Sequence, residues 1–292
     1  MMKTDSYIRG VLPDIAYRYV IATAFSSVQE IWTRHEMDVG PALLIGEAAV
    51  ASFLLAARGT KEDDQTVGLH FECEGPVRRL MSFGRFDGGI RGYTPEAKSD
   101  WPGSLMDGKG SGTLNVSLFR QQSRKVYASS VEFRNQSIAR NVEEFLGKSE
   151  QVQVFVELGP FADDGTRTSF FPGPISLQHA GIYGSLFEAM PGATADDTDR
   201  LLDFLKEHSV LDLLRRQGVL PELPGTLAEG RLFHYCDCSK EKVERLIIGM
   251  GREEADALIA ERGKIEITCE FCCEKYQFED SDLERIFVEE SV

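Results

Sequence analysis

Gly40 to Ala57 reads GPALLIGEAAVASFLLAA, a run so apolar that it is either a membrane span or a helix enclosed by a folded domain. A span needs ~20 apolar residues to cross the hydrocarbon, whereas this run is shorter and carries Glu47 inside it. Ala, Leu and Ile at this density suit a helix covered on all sides. The stretch is therefore read as a core helix, and no transmembrane segment is assigned.

Downstream, TVGLHFEC (Thr66 to Cys73) alternates Val67, Leu69, Phe71 and Cys73 with Gly68, His70 and Glu72, the period of two that a half-buried strand requires. Cys73 shares the apolar face and reads as a small buried side chain. Further strands are expected at IAYRYVIATA, VRRLMSF, GTLNVSLF, KVYASSVEF, QVQVFVEL and GIYGSLFEAM, with a helix at SIARNVEEFLGKS. SSVQEIWTRH reads as a helix opened by a capping box of Ser26 and Gln29, and KEDDQ as a solvated turn. The economical architecture is α+β, an antiparallel sheet packed with helices.

At 292 residues the chain exceeds one compact domain. Residues 1–191 are expected to form the core domain. Residues 192–230, with the amphipathic run ADDTDRLLDFLKEHSVLDLLRRQG followed by two prolines and two glycines, form a helical linker docked on a neighbour. Residues 231–292 form a small unit with nine Lys and Arg against sixteen Asp and Glu, a net charge of -7. The whole chain carries -15 with a pI near 4.9, which argues against nucleic-acid or anionic-membrane partners, since these need clustered basic residues. The N-terminus, MMKTDSYIRG, lacks the apolar run of a secretory signal. A soluble cytoplasmic protein in a reducing compartment is the expectation.

Five of the six cysteines fall between Cys236 and Cys273. Their spacing is C-x-C, thirty residues, then C-x-x-C with one more Cys directly after. In an extended segment residues i and i+2 point the same way, so Cys236 and Cys238 can present two sulfurs to one point. A C-x-x-C turn does the same for Cys269 and Cys272. Four thiolates make the closed tetrahedral site that Zn2+ prefers. Cys273 is the poor candidate, because adjacent side chains aim apart; pairing it with Cys269 needs a helical i, i+4 arrangement that the strand-like flanks KIEIT and EKYQF oppose. A thioredoxin-like centre would put C-x-x-C at a helix start after a strand, and structural disulfides suit secreted chains.

A unit this small buries little apolar surface, so metal binding supplies on the order of 10 kcal/mol of its folding free energy. Oxidising the ligands releases the metal and unfolds the unit, which makes a structural zinc site also a candidate oxidation switch. Other motifs carry less. GSLMDGKG (Gly103 to Gly110) nearly spells a phosphate loop, but Gly110 stands where a hydroxyl is needed, and it reads as a glycine-rich hairpin loop. His234 lies two residues before Cys236 and is assigned a supporting or packing role. HEMDV at His35 lacks the second His of a zinc hydrolase, and no G-x-S-x-G elbow occurs. No catalytic centre, hence no enzyme, is read.

The segment CDCSKEKVERLIIGMGREEADALIAERGKIEITCEFCCEKYQF resembles the zinc-binding redox-switch domain of the heat-shock protein 33 family of bacterial-type holdase chaperones. GKSEQ (Gly147 to Gln151), EAMPGA (Glu188 to Ala193) and GGIRGY resemble its upstream signatures, so the likeness covers essentially the whole chain. The resemblance implies an ATP-independent chaperone, inactive while reduced and zinc-bound. Oxidation would join Cys269 to Cys272 and Cys236 to Cys238, release zinc, and unfold the zinc unit and linker. Unfolding client proteins are then bound, commonly by a homodimer. Two other classes stand beside this one: a non-chaperone regulator or scaffold stabilised by structural zinc, and a thiol-disulfide oxidoreductase using Cys269, Cys272 and Cys273. The apolar surface beneath the linker helix RLLDFLKEHSVLDLL is the expected client site, and a charge at Leu205 is expected to loosen that helix.

Overall fold

The computed structural model describes residues 5–59, 65–120, 125–162, 176–207 and 223–289. They divide into two compact units, Met1–Tyr235 and Cys236–Val292. In the larger unit a five-stranded antiparallel sheet runs in the order β10-β1-β2-β9-β8. Its members are β1 (Ser6–Val11), β2 (Tyr17–Ala24), β8 (Val154–Ala162), β9 (Ala180–Ala189) and β10 (Thr226–Gly230). A six-stranded sheet runs β11-β5-β4-β3-β6-β7. It comprises β3 (Gln65–Cys73), β4 (Arg79–Arg85), β5 (Gly89–Tyr93), β6 (Gly112–Arg120), β7 (Lys125–Phe133) and the two-residue β11 (Phe233–His234), which joins β5 in parallel. The helices of this unit are α1 (Ser26–Arg34), α2 (Val39–Ala56), α3 (Leu105–Lys109), α4 (Ile138–Ser149) and α5 (Ala195–Glu207). This is the α+β class expected, with two sheets instead of one.

The apolar run forms α2. By length and composition it is apolar enough to cross a membrane, yet 89% of it is buried inside the fold. It packs against β3, β4 and β5 on one side and β2, β8 and β9 on the other. The approach is close: a Cβ on Gly84 of β4 would sit 2.2 Å from the Phe53 nitrogen, so only glycine fits there. The buried hydroxyls of Ser52 and Ser82 donate to the carbonyls of Ala49 and Ala48 at 2.7 and 2.9 Å, so both are satisfied beside the helix.

The last carbonyls of a helix have no partner within it. Here Gln65 Nε2 donates to Ala56 O at 2.8 Å, and just beyond the helix Arg18 Nη1 donates to Arg58 O at 3.0 Å and Arg9 Nη1 to Gly59 O at 3.4 Å. Arg18 and Arg58 both fork onto the carboxylate of Glu188, and Arg58 also reaches Glu150 at 2.7 Å. Burial pushes the Glu188 carboxyl up, but the two guanidiniums outweigh it and hold it low. Glu150 and Glu188 belong to the two signature fragments GKSEQ and EAMPGA, and the fold brings both onto Arg58.

Two local expectations are corrected. No capping box opens α1. The Asp5 carboxylate accepts from the backbone N–H of Phe25, Ser26 and Ser27, at 2.8, 3.2 and 3.0 Å, while Gln29 Nε2 turns away to the carbonyls of Leu177, Gln178 and Ala180. The glycine-rich loop at Gly103 to Gly110 contains α3, opened by a genuine capping box in which Ser104 and Asp107 satisfy each other's backbone N–H. Lys109, the residue that mimicked a phosphate-loop lysine, is fully buried over the Phe133 ring and donates to Gly110 O. Cys73 ends β3 packed beside the core, and burial pushes its thiol up to about 12.

On the far side of the five-stranded sheet lies a second cluster rich in aromatic rings, including Tyr17, Tyr19, Phe25, Phe161, Tyr183 and Phe187. Helix α5 covers part of it with Leu201, fully buried, and with Phe204 and Leu205. Asp197 accepts from the Ala16 N–H at 3.1 Å, and the Thr198 and Tyr17 hydroxyls meet at 2.9 Å. The rest of the expected linker helix, from residue 208 to 218, and the KEDDQ turn up to residue 64 lie outside the described residues.

Glu47 is a buried carboxyl on α2. Burial pushes its pKa up from 4.5 to about 7, with the Lys109 ammonium pulling the other way. A carboxyl raised on folding stabilises the protein fully below its unfolded pKa and loses that contribution as pH climbs through the folded value. Glu47→Gln is therefore expected to gain on the wild type, by roughly 2 kcal/mol, as urea midpoints are followed from about pH 5 to pH 8. A wild-type-to-variant difference that stays flat would mean that Glu47 titrates as it does in water.

Candidate metal centre

The smaller unit has its own core of Val243, Ile247, Ala255, Ile265, Phe278, Leu283 and Ile286. Three helices and one hairpin supply it: α6 (Lys240–Met250), α7 (Arg252–Arg262), β12 (Ile265–Thr268), β13 (Lys275–Phe278) and α8 (Asp280–Glu289). Cys236 and Cys238 lie just before α6, whose first turn is capped by the Ser239 hydroxyl accepting from Lys242 N–H. Cys269 and Cys272 lie in the turn between β12 and β13, which closes through the Cys269 N–H on Glu274 O at 2.9 Å. The fold thereby brings together two segments thirty residues apart in the sequence.

Their four sulfurs all lie within 4.8 Å of one another. Cys236 Sγ is 3.6 Å from Cys269 Sγ, and Cys238 Sγ is 3.3 Å from Cys272 Sγ. A tetrahedral ion with ligands at ~2.3 Å would separate its sulfurs by ~3.8 Å, so the group has the dimensions to hold one. Chemistry points the same way. Four thiolates this close repel one another, and a divalent cation at their centre removes the repulsion.

The sulfurs are not equivalent. Burial pushes the thiols of Cys236 and Cys272 up. Burial also pushes Cys238 up, but the Tyr276 hydroxyl, donating to its Sγ from 3.1 Å, and the neighbouring sulfurs outweigh it, and its net shift is downward. Tyr276 was visible in the sequence only as part of a signature. Its position on β13 opposite Ile267 is what aims the hydroxyl at the sulfur.

Cys273 lies outside the four-sulfur group. Its N–H does bond Cys269 O at 2.9 Å, so one i, i+4 turn is present, but its backbone takes the left-handed conformation at φ +60 that ends the turn and starts β13. His234 belongs to the larger unit. There its side chain is 4% exposed and its Nδ1 lies 3.2 Å from Glu30, a packing position outside the sulfur group.

The sequence matches the family model described as Hsp33 protein over residues 5–279. The 33 kDa chaperonin of Desulforamulus reducens is 28% identical, with 97% of each chain covered. That of Deinococcus radiodurans is 29% identical, with 94% of this chain and 96% of the other covered. The crystal structure of the 33 kDa chaperonin (heat shock protein 33 homolog) of Thermotoga maritima has a TM-score of 0.80 over 99% of both chains at 20% identity, a likeness of fold. With a family model that runs nearly end to end, and relatives aligned over almost their full lengths, the chain belongs to the Hsp33 family.

Proposed function

We propose that the protein is a redox-regulated, ATP-independent holdase of the cytoplasm, with Zn2+ held by Cys236, Cys238, Cys269 and Cys272. One observation carries this reading: four sulfurs from two distant segments converge within 4.8 Å in a unit whose core is seven buried apolar side chains. Burial on that scale contributes little net stability, so the bound ion, as a closed structural site, supplies the remainder. No bond of a client is made or broken, and the protein is not assigned as an enzyme. Its partners are unfolding proteins and, once activated, a second copy of itself; neither nucleic acid nor membrane is among them.

Peroxide oxidises the thiolates, and zinc departs with the loss of its ligands. We assign the two disulfides to Cys236–Cys238 and Cys269–Cys272. The shortest separations in the reduced group run across the motifs, at 3.6 and 3.3 Å, but bonds formed there would tie the two segments together. Closing each motif on itself frees the segments from one another and lets the unit unfold. In this reading residues 231–292 are the switch and residues 192–230 a linker that loses structure with it. Residues 1–191 remain folded as the client-binding and dimerising domain. The aromatic cluster beneath α5 is the surface uncovered.

Metal content tests the ligands. The protein purified under reducing conditions is expected to hold one zinc per chain. Cys272→Ser should lose most of it, and Cys273→Gly should keep it while relieving the left-handed backbone by about 1 kcal/mol. Zinc lost equally from both variants would overturn the assignment.

Function is tested by treating the protein with peroxide under mild heat and following zinc release, disulfide positions by peptide mapping, and the aggregation of a thermally unfolding client. The expected result is suppression at about one chain per client only after zinc has left. Zinc release without suppression would leave a scaffold with structural metal, and catalytic turnover of a dithiol would favour an oxidoreductase.

The covering role of α5 has its own test. Leu201 is buried deeper than Leu205, so Leu201→Asp places a charge in the aromatic cluster, at an expected cost of about 3 kcal/mol. Reduced protein should then suppress aggregation without peroxide. Unchanged protease resistance of α5 and unchanged basal activity would count against this surface.

A further inference from the structure

The hydroxyl of Tyr276 donates to Cys238 Sγ from 3.1 Å. Cys236 and Cys272 take backbone N–H groups of their own turns, those of Cys238 and Glu274, and these move whenever the turns move. Tyr276 differs in origin. It stands on β13, in register with Ile267, and its ring packs against the core of the smaller unit. The donor is thus anchored to the part of the unit that folds around apolar side chains, while the sulfur it holds lies on the segment before α6.

We propose that Tyr276 is a positioning residue that shields Cys238, making its sulfur slower to react with oxidants and alkylating agents than it would be without the hydroxyl. This rests on the reading of the group as metal-bound thiolates that peroxide oxidises. A hydrogen bond to a thiolate draws charge from the sulfur and occupies the lone pair that an electrophile would meet, so nucleophilicity falls. In the step concerned, a sulfur lone pair attacks one peroxide oxygen, the O–O bond breaks, and hydroxide leaves. The sulfenic acid formed is attacked by a second thiolate, which makes the S–S bond and expels a second hydroxide. Two thiolates lose two electrons to one hydrogen peroxide. Tyr276 takes no electrons in either step; it keeps its proton and sets how available one sulfur is.

A second consequence concerns where the two segments part. The O–H···S contact links the C-x-C segment to β13 independently of any metal. It therefore continues to hold Cys238 in place while the ion is being lost, and its loss should speed metal release as well as reaction at Cys238.

The test uses the full-length reduced protein and iodoacetamide, with each cysteine's alkylation rate read by peptide mass spectrometry and zinc content measured on the same samples. Tyr276→Phe keeps the ring and removes only the hydroxyl, and should raise the Cys238 rate about fivefold relative to Cys269, with peroxide-driven zinc release quickened by a similar factor. An unchanged Cys238 to Cys269 ratio in the variant, or an equal rise at all four sulfurs, would each overturn the proposal. Absence of zinc from the wild type would strike at the metal reading and at this proposal together, whereas an unchanged ratio in zinc-loaded protein would overturn the role of Tyr276 alone.

Discussion

A helix with no polar face must be covered on every side, and the larger unit is arranged around that requirement. Two sheets close on α2, glycine at position 84 lets a strand backbone meet the helix backbone, Gln65 takes the carbonyl of its last residue, and Arg18 and Arg9 take carbonyls just beyond it. Arg18 is itself held by Glu188, which also takes Arg58, and Arg58 reaches Glu150. Removing Glu188 would therefore release two guanidiniums at once. None of this depends on sulfur chemistry.

The smaller unit solves the same problem of stability by different means. Its apolar core is slight, its charge is strongly negative, and its two cysteine-bearing segments meet at the sulfur group. Burial resists a change of redox state; a cluster of thiolates does not. In the proposed switch one chain combines a body whose folding is indifferent to oxidants with a body whose folding is exposed to them.

Much of this was legible in the sequence where the signal is local. The alternation in TVGLHFEC placed β3, the density of apolar residues at Gly40 to Ala57 placed α2, and C-x-C with C-x-x-C placed the sulfur group, with Cys273 outside it. What escaped was what folding brings from a distance. Asp5 caps a helix that starts some twenty residues away, a partner no spacing rule supplies. β10 and β11 are short and sit among glycines and prolines, and only pairing with β1 and β5 makes them strands. Glu150 and Glu188 were visible as fragments of two signatures, but their meeting on Arg58 was not. Tyr276 likewise gained a role only when the β12–β13 register set it against Cys238.

The central claim is that the ion holds the smaller unit together and that oxidation removes both. Hydrogen exchange, followed segment by segment while peroxide is added and zinc is drawn into a coloured chelator, tests it most directly. Amides of α6, α7, α8 and the β12–β13 hairpin are expected to lose protection in step with zinc release, while those of β2, β9 and α2 keep theirs. Zinc released from a smaller unit that stays protected would contradict it.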